Sequence, residues 1–131
     1  MDKKLFEALS NWNPETQLTV KVRFVKRGTD AALTGQQYTV RLYDKDVFTD
    51  DDYLGQARLN EHGEAHIHFY PADIRKTDLG LEQYPDLYIL LFKGDTVHFQ
   101  SKVWDDVDFA KEGTLTLNEG EVVDFGTFLV D

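Results

Sequence analysis

The chain has no cysteine among its 131 residues. Disulfides, thiolate metal centres and a cysteine nucleophile are therefore excluded. No apolar run approaches membrane-spanning length. The opening Met1-Asp-Lys-Lys-Leu-Phe-Glu-Ala-Leu-Ser lacks the apolar core of a signal peptide. The expected location is cytoplasmic if Met1 is the native start, and secreted if the chain is a mature form. Basic residues are scarce: 14 Lys and Arg stand against 24 Asp and Glu, a formal charge of −10. That balance argues against holding nucleic acid or anionic lipid by charge alone. The expected partner is a protein or a small molecule, and a divalent cation can reverse the sign locally.

What is present is period-two alternation. Hydrophobic residues make up 41% and aromatics 13%, mostly inside strand-like runs. Thr16 to Lys26 places Leu18, Val20, Val22 and Phe24 on one face and Thr19, Lys21 and Arg23 on the other. Tyr38, Val40 and Leu42 alternate in the same way. So do Ala65, Ile67 and Phe69 against Glu64, His66 and His68. The stretch 86–93 is apolar on both faces, the mark of a central strand. Turn residues punctuate these runs at Gly28, Asn60 to Gly63, Gly94-Asp95 and Asn118 to Glu121. Asn60 to Gly63 reads as a tight hairpin with Gly63 at positive φ. Strands are expected at 16–26, 37–44, 54–59, 64–70, 86–93, 96–104, 114–117 and 122–130. Val20, Val22, Val40, Leu42, Ile67, Ile89, Leu91 and Phe125 are expected in the core.

The fold class is accordingly all-β: an eight-stranded antiparallel two-sheet sandwich over 16–131. Residues 1–15 form an N-terminal extension. Within it Lys3 to Ser10 has the pattern of a short helix, too short to be stable by itself in water.

Five aspartates crowd the stretch after the second strand: Asp44, Asp46, Asp50, Asp51 and Asp52. A hydrophobic strand that ends in such a cluster must deliver it to water at a sheet end. Calcium takes six to eight hard oxygens, many of them carboxylates on loops, and it would relieve the mutual repulsion. The same residues also serve as turn formers that accept loop N–H bonds. Asp78, Asp86 and the Asp105-Asp106-Asp108 run are further candidate ligands. At the loop tip, Val47 and Phe48 would either wedge into a lipid surface beside a bound metal or fold back over the sandwich. Glu64, His66 and His68 share one strand face. With His98 from another strand they have the residue types of a zinc site for a hydrolase; as a solvent-facing polar stripe they need no ligand.

Five motifs in order carry a family resemblance: Val40-Arg-Leu-Tyr-Asp-Lys-Asp, Asp50-Asp-Asp-Tyr-Leu-Gly, Asn60-Glu-His-Gly-Glu, Pro85-Asp-Leu-Tyr and Asp124-Phe-Gly-Thr-Phe. Over about 16–130 the chain resembles the transthyretin-like (prealbumin-like) sandwich domains, which implies that fold; the expected role is that of a non-enzymatic binding or interaction module. The enzymatic branch of that group, the hydroxyisourate hydrolases, closes on Tyr-Arg-Gly-Ser. This chain closes on Phe128-Leu-Val-Asp, so that activity is not carried over. Locally, the spacing of Asp44, Asp46, Asp52 and Gly55 is similar to the metal loop of the calcium- and phospholipid-binding domains of the protein kinase C type. That likeness implies calcium at Asp44 to Asp52.

Overall fold

A computed structural model describes residues 17–46, 50–70 and 84–131. The expected helix at Lys3 to Ser10, the tip residues Val47 and Phe48, and Asp78 lie outside the described residues. The strands are β1 (Leu18–Lys26), β2 (Tyr38–Asp44), β3 (Asp52–Arg58), β4 (Glu64–Phe69), β5 (Leu87–Lys93), β6 (Thr96–Gln100), β7 (Thr114–Thr116) and β8 (Gly120–Val130). They form two four-stranded sheets, in the orders β4-β1-β8-β7 and β3-β2-β5-β6.

The alternating residues fill the space between the sheets. Val20, Val22, Val40, Leu42, Ile67, Ile89 and Leu91 are completely buried, and Phe125 nearly so. All eight were expected there. Phe24 meets Phe99 edge-on at 5.6 Å and Phe128 at 5.9 Å, so aromatic rings pack between the two sheets.

Four features depart from the sequence reading. The sandwich is not wholly antiparallel: β1 and β8 run parallel, with Leu18 opposite Glu121 and Lys26 opposite Val130. Alternation reports which face a residue takes, and it is the same for either strand direction. The turn at Asn60 to Gly63 is not a hairpin within one sheet, because β3 and β4 belong to different sheets. It is an arch between them, held by the Asn60 side-chain oxygen, which accepts from the backbone N–H of His62 and Glu64 at 2.8 and 3.0 Å. The strand expected over 96–104 stops at Gln100, because the Ser101 hydroxyl takes the Ile89 N–H at 2.9 Å in place of a backbone carbonyl. Trp104 then rejoins β5 through a single bridge to Leu87.

The fourth is a short helix, α1 (Phe109–Glu112), beyond the aspartates of 105–108. Asp108 is its N-cap and accepts from the N–H groups of Ala110 and Lys111, while the Glu112 carboxylate accepts from the Asp108 N–H. These bonds satisfy donors that a helix start leaves open. Phe109 is completely buried, edge-on to Phe69 at 5.4 Å. The turn carries the chain from the second sheet to the first.

Candidate functional site

The acidic cluster spans the end of β2 and the start of β3. Asp44 and Asp52 are ladder partners, the last and first residues of their strands. The two residues are 4% and 6% exposed. The sequence reading ended the second strand at Asp44, left Asp52 in the loop before a strand at 54 and expected the cluster in water; the structure puts Asp52 in β3 and buries both residues. Carboxylates buried in this way must find donors. Asp44 accepts from the backbone N–H of Asp86 at 3.1 Å, and Asp86 in turn accepts from the N–H of Asp106 at 2.9 Å. Two backbone bonds run alongside, from Lys45 N to Asp86 O at 2.7 Å and from Val107 N to Pro85 O at 2.9 Å. Aspartates therefore tie three separate segments to one end of the sandwich. Asp106 sits at φ 52, a left-handed conformation that Asp tolerates better than most residues.

Asp51 is the second staple. One of its oxygens accepts from the Asp46 N–H at 2.9 Å and the other from the Tyr88 hydroxyl. The Tyr88 bond, above all, holds the Asp51 carboxyl below its usual value; burial works the other way, and the Asp46 N–H and Lys45 add to the lowering. Burial, and after it the Asp51 charge, pushes the Tyr88 phenol well above its ordinary value. Tyr88 thus stays a neutral donor throughout the physiological range.

All five predicted site residues lie at this end, and the fold brings Asp86 and Asp106 to them. Sequence reasoning could not choose the rim on which those later aspartates sit. Among the described residues, no three His, Asp or Glu side chains are grouped so as to share one metal ion. In this conformation the carboxylates of Asp44, Asp51 and Asp86 hold backbone and hydroxyl donors.

Asp51 supplies a pH test. A carboxyl whose folded value is lowered adds stability that is complete above the unfolded value, about 3.9, and is lost as pH falls through the folded one. Urea unfolding of the wild type and Asp51→Asn at pH 7, 4 and 3 should show the wild type's advantage shrinking at each acid step. A gap independent of pH would rule out this role for Asp51.

On the outer face of the other sheet, His68 is exposed as expected, but His66 is half-buried. The turn between β7 and β8 folds over it: His66 Nδ1 lies 2.7 Å from a Glu119 carboxylate oxygen and its Nε2 lies 3.5 Å from Glu64. The expectation that both rings face water is corrected for His66. Thr19 is fully buried beside them and donates to the Glu119 carbonyl at 2.6 Å. The same hydroxyl lies 2.8 Å from His68 Nδ1. Burial raises the Glu64 carboxyl, but Lys21 (3.3 Å), Asn60 and His66 outweigh it, and the net shift is downward. His98 does not join this group. It stands on β6 in the opposite sheet and reaches the Asp131 carbonyl at 2.8 Å. Nothing in the strand pattern signalled Glu119, which arrives from 53 residues away.

No family model matches the chain, and no curated protein does. Among solved structures, a 9R-lipoxygenase from Cyanothece PCC8801 superposes with a TM-score of 0.61 at 21% identity. The match covers 92% of this chain but only 17% of the lipoxygenase chain. This likeness is one of fold: a β-sandwich of this kind forms a small part of a much larger protein there.

Proposed function

We propose that the chain is a non-enzymatic β-sandwich binding module of the transthyretin-like kind, with the acidic end as its working surface. Calcium is the cation of that surface, taken by Asp44, Asp46, Asp50, Asp51 and Asp52. The supporting observation is the chain of bonds from Asp44 to Asp86 to Asp106, which gathers carboxylates from three segments at one end. Gathering them concentrates negative charge at that end. On binding, calcium would replace the N–H and hydroxyl donors that Asp51 now holds, and this exchange sets its affinity.

Thermal melts test the calcium site. Stability should rise with free calcium by RT ln(1 + [L]/Kd), about 2.7 kcal/mol at a hundredfold excess over Kd. Asp46→Asn should blunt the rise, since it removes a charged ligand while keeping its shape. Identical wild-type melting temperatures in millimolar calcium, in chelator and in matched sodium chloride would end the calcium reading.

A further inference from the structure

The outer face of the β3-β2-β5-β6 sheet sets a band of aromatic and apolar residues among the polar Thr39, Gln56 and Gln100. An antiparallel sheet with one solvated face normally turns polar residues outward. Here the registers put Tyr53, Tyr43 and Tyr88 side by side across three strands. The Tyr43 and Tyr88 rings stack at 5.4 Å, and Tyr53 meets Tyr43 at 5.9 Å. Further along, Leu90, Phe92 and Val97 also point outward, with Phe92 opposite Val97. The charged side chains at outward strand positions are Arg41, lying over the Phe92 ring at 4.5 Å, and Arg58. These outward positions carry no carboxylate, in a chain with 24 of them. Aromatic residues and arginine without acids are the composition of an interface core.

We propose that this face packs against the same face of a second copy, turned by a two-fold rotation. The reasoning from charge is as follows. The tyrosine row lies at the acidic end, where the Tyr88 hydroxyl bonds Asp51 and Asp50 is exposed. Arg58 lies at the other end of the face, level with Thr39 and Phe92. A half-turn about an axis through the centre sets the tyrosine row and its aspartates over the Arg58 end of the partner, twice in one interface. Such self-complementarity is what an isologous pair requires. Lys45 and Asp95 have the opposite sign at the two ends and reduce the contrast without reversing it. The area also fits. Four strands spaced about 4.8 Å and seven residues at about 3.3 Å each give a face of roughly 19 by 23 Å. A pair would bury on the order of 1,000 Å² in total, near the lower limit for a specific interface. The dimer is therefore weak and sensitive to salt.

Sedimentation velocity from low to high micromolar concentration tests this, at low and high sodium chloride. The wild type should pass from monomer to dimer, with the midpoint moving upward in salt. Leu90→Glu, at the centre of the face, should raise the dissociation constant at least about tenfold. Val97→Asp should do the same, and its half-exposed position on an edge strand makes loss of folding no concern. Leu129→Glu, an exposed leucine on the opposite sheet, should leave the association unchanged. A wild type that stays monomeric throughout overturns the proposal and leaves this face to a different partner. Equal loss of association in Leu129→Glu overturns it as well, since the contact would then not be this face.

Discussion

Replacing Ile89 by alanine is expected to lower the free energy of unfolding by about 2–5 kcal/mol. Ile89 is completely buried in β5, a strand with partners on both sides. It lies opposite Leu42 of β2, and its backbone N–H is the one held by the Ser101 hydroxyl. The substitution removes three carbons from a site whose backbone is fixed by two neighbouring strands. The cavity therefore cannot collapse easily, and the cost should fall in the upper part of the range. For a chain of this length each kcal/mol lowers the melting temperature by roughly 3–4 °C. A drop of about 7–18 °C is expected, with the far-UV spectrum unchanged below the transition. A loss under about 1 kcal/mol would mean the site relaxes, and the tight inter-sheet packing described for β5 would be wrong.

Gly63→Ala should have a comparable effect for a different reason. Gly63 has φ +74 and is buried in the arch between β3 and β4. A Cβ added there would stand 2.5 Å from the Phe24 carbonyl oxygen and 3.1 Å from the Ala32 methyl. The left-handed conformation alone costs a side chain about 1–2 kcal/mol. The clash is with backbone, in a segment where Phe24 N also donates to the Gly63 carbonyl at 2.8 Å, so it cannot be relieved by a rotamer change. Overpacking of this kind adds about 1–3 kcal/mol. The sum, about 2–5 kcal/mol, is to be read from urea unfolding with an unchanged m-value. Gly28→Ala is the control. It has a similar φ of +81 with nothing within 4 Å of the added carbon, so it should show the backbone penalty alone. Equal costs at the two sites would show that the close approach to Phe24 has no energetic weight.

Alternation along Thr16 to Lys26, Tyr38 to Leu42 and Glu64 to Phe69 was enough to place the strands, the inward residues and the two-sheet class. That information is local: a strand must turn one face to the core, and its own residues say which. The positive φ at Gly63 was legible for the same reason, since turn chemistry lies within four residues. The direction of β8 beside β1 was not, because a buried strand presents the same pattern to a parallel or an antiparallel neighbour. Nor was the helix at Phe109, whose four residues are too few to show a period and whose cap was read as part of an acidic loop.

The aspartates divide along the same line. Their crowding at Asp44 to Asp52 is a fact of sequence, and charge alone puts such a cluster at a sheet end. Their partners were decided only by the fold. Asp44 binds a backbone N–H 42 residues away, Asp51 binds a tyrosine 37 residues away, and Asp86 binds the N–H of Asp106 20 residues on. Glu119 comes to His66 over 53 residues. A side chain's hydrogen-bonding capacity is written in its own chemistry, but which donor meets it depends on how separate strands are brought side by side.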